Sequence, residues 1–394
     1  MAAGLLVMAA AGALAWLVLI VARAGFWRAD QRLGNPSEPA TWPDVTCIIP
    51  ARNEARTVEK TVKSVLSQSY PGILRLIVVD DASGDGTADI ARAAAAEAGG
   101  AERFDLVPAP PLAPGWSGKL WALHAGIERA KTDAPAFYWF TDADIVHGPD
   151  VLRRLVAKAE TDGRDLVSLM VRLNCERVWE RLLVPAFVFF FQMLYPFRAV
   201  NDPASKVAGA AGGCVLLRRS ALEAAGGFAA MRDALIDDCT LAARVQGSGG
   251  RLWLGLAEDS RSLRTAQGLA SLWRMVKRTA FVQLDYSAWR LLGTVLGLGV
   301  TFLAPPVVAA LATVSGDWPA AALAATTWIA MAMAYRPTLA EYDRSAPEGL
   351  ALPLAALLYT AMTIHAAIDH WRGRGSGWKG RAYARERPGG SAEA

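Results

Sequence analysis

Ala136-Phe-Tyr-Trp-Phe-Thr141-Asp142-Ala-Asp144 joins an uninterrupted apolar run to a pair of carboxylates. The run reads as a buried strand, which carries both acids to its carboxyl end, where open α/β sheets build ligand sites. Side chains two apart on an extended segment point the same way, so Asp142 and Asp144 are expected to face one divalent cation. Hard oxygen donors suit Mg2+ or Mn2+, and the usual task of such a site is to hold a diphosphate. A plainer reading stands beside it: Asp144 or Asp150 caps the helix expected over Pro149–Glu160.

Upstream, the pattern alternates. Val45–Pro50 (VTCIIP) is a strand, and Glu54–Gln68 places Val58, Val62, Val65 and Leu66 at helical spacing. Tyr70-Pro-Gly72 stops that helix, Ile73–Val79 is the second strand, and Thr87–Glu97 is an Ala-rich helix ended by Gly99-Gly100. Phe104–Val107 is a third strand; a Pro-rich loop and a helix over Lys119–Lys131 then lead into the acidic strand. This order predicts an α/β domain with a mostly parallel sheet covered by helices, over residues 44–260. A dinucleotide site would need a glycine-rich turn after the first strand, whereas Pro50-Ala-Arg-Asn-Glu54 has no glycine.

The chain has 394 residues, 53% of them apolar, and a net charge of only +4, which argues against a nucleic-acid partner. Cys47, Cys175, Cys214 and Cys239 are far apart, without CxxC or His pairing, and read as core residues in a reducing compartment. The apolar excess collects at the two ends. Gly4–Ala22 is uncharged and followed by Arg23, Arg28 and Arg32. That predicts an anchor within residues 1–25, with the next domain in the cytoplasm of a bacterial cell, at the inner membrane.

Leu292–Val314, Trp318–Tyr335 and Leu350–Ile368 are further candidate spans within residues 291–370. Three full crossings would put the basic tail, residues 371–394, outside, whereas Arg372, Arg374, Lys379, Arg381, Arg385 and Arg387 favour inside. One candidate is therefore expected not to cross, and Pro305-Pro306 makes the first the suspect. Residues 261–290 read as an amphipathic interfacial region, and Leu182–Phe197 as either a core element or a segment on the membrane surface.

Two more acidic stretches follow strand-like runs. Asp80-Asp81-Ala-Ser83-Gly-Asp85-Gly-Thr87 offers Asp81 to a nucleoside edge, with Ser83 or Asp85 capping the next helix. Ile236-Asp237-Asp238-Cys239 is either a solvated helix face or, if in a cleft, the source of a general base. His124 reads as a pocket or core residue, and His147 as a loop residue or a metal partner; His365 and His370 carry no catalytic signal.

Together IIPARNE, VVDDASGDGT, GWSGKLWAL, TDAD, AGGCVLLRR and IDDCTLA resemble a membrane-bound family 2 glycosyltransferase with the GT-A fold. SLMVRLNCERVWERLLVPAFVFFFQMLYPF and ALIDDC most resemble the bacterial hopene-associated members. The resemblance implies that Pro50, Ala51, Arg52 and Glu54 line a nucleotide pocket, with Asp81 on the nucleoside and Lys119 near it. It places Asp142 at the sugar or ribose, Asp144 on the metal, and Asp238, preceded by Asp237 where the family has glutamate, as the base. The family's Gln-x-x-Arg-Trp element keeps only its arginine here, Arg278 in Met275–Thr279, so processive synthesis is not implied. Arg278 would neutralise phosphate, or with Arg274 and Lys277 bind lipid headgroups.

The expectation is inverting sugar transfer from a nucleotide-diphospho-sugar, UDP-linked, to a lipid hydroxyl such as that of a hopanoid. A polyprenyl-phosphate acceptor is the nearest alternative; an inactive membrane scaffold of the same fold and a nucleotidyltransferase are the others.

Overall fold

β1 (Val45–Ala51) lies inside an eight-stranded sheet with β2 (Leu74–Asp80), β3 (Phe104–Pro108), β4 (Phe137–Thr141), β5 (Ile145–His147), β6 (Leu166–Arg172), β7 (Cys214–Arg218) and β8 (Leu252–Ser262). The strand order is β3-β2-β1-β4-β7-β6-β8-β5 in this computed structural model, which describes residues 2–374 and the short strands Gly377–Trp378 and Arg381–Ala382. Most of the basic tail, including Lys379, Arg385 and Arg387, lies outside the described residues.

The strands β3, β2, β1 and β4 are mutually parallel, as the alternating pattern requires. Beyond them β7 runs antiparallel between β4 and β6, and β5 antiparallel along the end of β8. The apolar runs are continuous because both faces are covered: Cys47, Ile49 and Val78 face one core, Ile48, Ile77 and Val79 the other. Gly126, in the Gly118–Ala130 helix, lets that helix close on β1; a Cβ there would stand 2.5 Å from Ile48 Cγ2. The cysteines are unpaired, and Cys214 accepts from Trp139 Nε1 within the core.

The first helix after β1 starts at Val58, later than the spacing suggests. Glu54 and Ala55 give their N–H groups instead to Thr87 Oγ1 (2.8 Å) and Asp85 Oδ2 (3.0 Å), which ties the β1 loop to the β2 loop.

Three helical runs among the described residues are long and apolar enough to cross a membrane: Ala3–Ala22, Ala288–Ser315 and Ala346–Trp371. The Pro-Pro segment stays helical. A π turn at Gly299–Leu303 precedes it, and the Thr301 carbonyl, which Pro305 has no N–H to satisfy, accepts from Trp16 Nε1 at 2.7 Å. The Trp318–Glu341 helix runs beside these, its terminal Glu341 paired with Arg32.

The Val178–Leu194 helix connects the two halves of the molecule. Phe189 packs on Phe26 and Tyr335, Phe190 on Phe302 and Tyr359, and Leu183 O accepts from Tyr359 Oη at 2.8 Å. One core thus runs without a break from β4 and β7 through Phe189 to Phe302, Tyr335 and Met362.

Candidate active site

The carboxyl ends of β1 and β4 open into one cleft, closed by the turn before β7 and the start of the Asp237–Gly247 helix. Pro50 lines it, and the Ala51 carbonyl accepts from Asp81 N at 2.8 Å. Arg52 Nη1 donates to the Asp81 carbonyl at 2.6 Å and lies 3.3 Å from its carboxylate, which is buried. Ser83 accepts from Asn53 N, and Asp85 from Thr87 N at the start of the next helix, so both shape the loops.

Asp142 and Asp144 are not on one extended segment. Ile145 N bonds back to the Asp142 carbonyl, so the chain turns between them and the two carboxylates meet different cations. Asp142 Oδ1 lies 3.0 Å from Lys119 Nζ. Asp144 Oδ2 accepts from Arg264 Nε at 2.8 Å and from Ser262 Oγ at 3.3 Å. The capping alternative fails for Asp150, which precedes Val151–Thr161 without a side-chain cap bond, and Asp144 bonds Arg264 and Ser262 instead.

Lys119 is the hub of the other acids. Its ammonium also lies 3.1 Å from Asp237 Oδ2. Burial would lower its pKa, but Asp142, Asp237 and Asp238 outweigh that and hold it raised. Burial likewise raises Asp142, against the pull of Lys119.

Asp238 accepts from Gly212 N and from Cys239 N, each at 2.8 Å. Burial, then the neighbouring Asp237 charge, pushes its carboxyl up to about 6, against the opposing Lys119 and these two hydrogen bonds. Gly212 suits the position, since a Cβ there would stand 3.3 Å from both Asp238 Oδ2 and Lys119 Nζ. A carboxylate at the amino end of a helix with a raised pKa is well placed to take a proton near neutrality.

Two of the histidines have clear structural surroundings. His147 is buried between Thr141 (2.9 Å) and Ser260 (2.8 Å), and burial lowers its pKa to about 3, so it is a neutral core residue with both ring nitrogens engaged. His124 stacks on Trp116. Arg278 is exposed on the Leu269–Ala280 helix, where Lys277 pairs with Asp369.

Sequence patterns gave no sign of Arg264, Ser262, Tyr195 or Gln283. Arg264 reaches the site because β5 pairs with the end of β8, Ile145 opposite Ser262. Tyr195 exchanges hydrogen bonds with Gln283 (2.8 and 3.1 Å) and touches Cys239, next to Asp238.

The donor chemistry around Asp144 fits a divalent ion shared with a ligand. Asp144 and Glu54 already grip one cation between them, the Arg264 guanidinium. Among the described residues no cluster of three or more His, Cys, Asp or Glu stands ready to hold an ion alone. Mg2+ is commonly bound this way, by one or two carboxylates plus substrate phosphates.

The chain matches the family description Glycosyl transferase family 2 over residues 46–226 and Glycosyl transferase family group 2 over 140–339, the latter just over half its length. It belongs to the family 2 glycosyltransferases.

An N-acetylglucosaminyltransferase of Mesorhizobium japonicum is 31% identical over 48% of this chain and 42% of its own. A 4,4'-diaponeurosporenoate glycosyltransferase of Staphylococcus aureus is 32% identical over 34% of each chain. The chain therefore spans less than half the length of these curated relatives. A mannosyltransferase of Pyrobaculum calidifontis, solved with GDP-Man and Mn2+, shares the fold over 94% of this chain and 99% of its own, at TM-score 0.58 and 21% identity.

Proposed function

We propose that the protein transfers a sugar, with inversion, from a nucleotide-diphospho-sugar (UDP-linked) to a hydroxyl on a lipid at the membrane surface, a hopanoid being the class its motifs resemble. The observation that carries this reading is the meeting of Asp142, Asp237 and Asp238, from separated parts of the chain, around Lys119 in one cleft, with Asp144 near enough for its charge to act on Asp142. The acceptor hydroxyl attacks the anomeric carbon and its proton passes to Asp238. The carbon–oxygen bond to the diphosphate breaks as the new glycosidic bond forms, and the electron pair leaves on the diphosphate. Asp144, with Glu54, would hold Mg2+ or Mn2+, which when bound offsets negative charge on the leaving group. Lys119 keeps Asp142 and Asp237 compensated beside the base.

The lipid acceptor draws support from the apolar helices and from the acceptor named for the staphylococcal relative, 4,4'-diaponeurosporenoate. The side of the membrane draws support from Arg23, Arg28 and Arg32 after the first helix, which favour the cytoplasmic face of a bacterial inner membrane.

The last apolar run re-enters the membrane, and the Pro-Pro helix crosses it. Leu350 O accepts from Trp328 Nε1 and Gly349 sits against Ala332. Those contacts lie about 14 to 20 Å along the helix from Glu341 at the catalytic side. At the other end Asp369 pairs with Lys277 of the Leu269–Ala280 helix, so the tail returns to the catalytic side.

Purified protein in nanodiscs, given a panel of nucleotide sugars and extracted hopanoids, should yield a labelled glycolipid. Asp238→Asn should slow it about 100- to 10,000-fold, as loss of a general base does. Turnover that survives Asp238→Asn would point instead to an acceptor already ionised, a polyprenyl phosphate. No product with any pairing would refute the lipid reading.

A further inference from the structure

Arg264 stands where the metal-binding reading would put a cation. Its Nε is 2.8 Å from Asp144 Oδ2 and its Nη2 is 2.9 Å from Glu54 Oε1, so one guanidinium bridges two carboxylates that follow the neighbouring strands β4 and β1. Both carboxylates are largely buried, with side chains 8% and 13% exposed, whereas the Arg264 side chain is 57% exposed. The acids are fixed and the cation has room to leave.

The loop around Arg264 is fixed too. Leu263 N donates to the Asp144 carbonyl at 2.7 Å, and Arg264 N to Ser262 Oγ at 3.2 Å. Ala266 N donates at 2.6 Å to Glu180, a buried carboxylate whose other oxygen accepts from Glu176 N and Arg177 N at the start of the Val178–Leu194 helix. With the backbone held on both sides of Arg264, a change at this position falls to the side chain alone.

We infer that Arg264 is a built-in counter-cation of the Asp144–Glu54 pair, which a divalent ion displaces and which then turns its guanidinium onto the donor's diphosphate. The inference rests on the metal-binding reading of Asp144 given above. Two like charges cannot share the same carboxylate oxygens, so Arg264 and the metal compete when no nucleotide is present. A diphosphate reverses the relation, because it offers the released guanidinium a bidentate partner. Arg264 would then be a positioning residue that makes tight metal binding conditional on the donor.

The test measures Mn2+ affinity by electron paramagnetic resonance on the full-length protein in nanodiscs, with Mn2+ alone and with Mn2+ plus UDP or GDP. For R264A, Mn2+ alone should bind about 10-fold more tightly than to wild type, the size expected on removing a half-exposed ionic competitor. With UDP or GDP present the order should reverse, R264A binding Mn2+ about 10-fold more weakly than wild type. R264K keeps the charge without the fork and should resemble wild type with Mn2+ alone and R264A with nucleotide. Equal or weaker Mn2+ binding in R264A without nucleotide overturns the inference. Asp144→Asn separates the two claims: if it abolishes Mn2+ binding while R264A matches wild type, only the role of Arg264 fails. If no form binds Mn2+ under any condition, both fail.

Discussion

Replacing Lys119 with Met removes one ammonium from among three carboxylates. Asp238 Oδ2 and Lys119 Nζ each lie 3.3 Å from the point where a Gly212 Cβ would stand, so the two charges are within about 6.6 Å. At that separation and an effective dielectric constant of about 20, their attraction is about 2.5 kcal/mol, or nearly two pKa units. Without Lys119 the Asp238 carboxyl, now at about 6, should rise by one to two units. A base must be ionised to act. In wild type the acidic limb of kcat/KM should fall off near pH 6, leaving about nine tenths of the base active at pH 7. In Lys119→Met the limb should move to between about pH 7 and 8, with most of the limb-dependent loss recovered at about pH 9. The assay is nucleotide release against pH in a fixed lipid background. A limb that stays near 6 in the variant, with the whole profile merely scaled down, would refute the electrostatic role of Lys119 on Asp238.

Three further outcomes follow from particular contacts. Asp238 has a folded pKa above the usual carboxylate value of 3.8, so between about pH 4 and 6 the native state holds a proton that the unfolded chain has lost. Its contribution to thermal stability should fall as pH rises through that window, and Asp238→Asn should flatten the slope in scanning fluorimetry; identical slopes would remove the shift. Gly126→Ala forces a methyl to within 2.5 Å of Ile48 Cγ2 and should cost about 1–3 kcal/mol in denaturant unfolding. Pairing it with Ile48→Val, which removes a different methyl, should recover little. Trp16→Phe keeps an aromatic ring but removes the indole N–H and some buried volume, leaving the Thr301 carbonyl unbonded, for a loss of at least about 1–3 kcal/mol in thermal unfolding; an unchanged melting point would show the carbonyl finds another donor.

The sequence was informative wherever function depends on local order. Thr87–Glu97 and the parallel strands β1 to β4 follow from spacing alone, because each element is covered by its own sequence neighbours. The acidic residues at the strand ends were likewise visible, since a strand's carboxyl end fixes where its next residue goes. What was hidden depends on pairing between distant segments. The β5–β8 ladder brings Ser262 and Arg264 to Asp144 across about 120 residues, and nothing in SRSLR marks that partnership. The turn at Asp142–Asp144 was concealed by the strand before it, as chain direction after a strand is set by the loop's own hydrogen bonds. Leu182–Phe197 was ambiguous for another reason: Pro185 sits inside a helix, Val178–Leu194, that tertiary contacts hold together.

The unbroken core through Phe189 makes the cleft and its hydrophobic helices one piece. A shortened chain ending at Gly268 would strip Tyr335 from Phe189 and both Phe302 and Tyr359 from Phe190, leaving aromatic surface bare to water. Such a fragment should clump when expressed, however sound its sheet. Any kinetic study of this enzyme therefore has to keep the whole chain in a lipid or detergent shell.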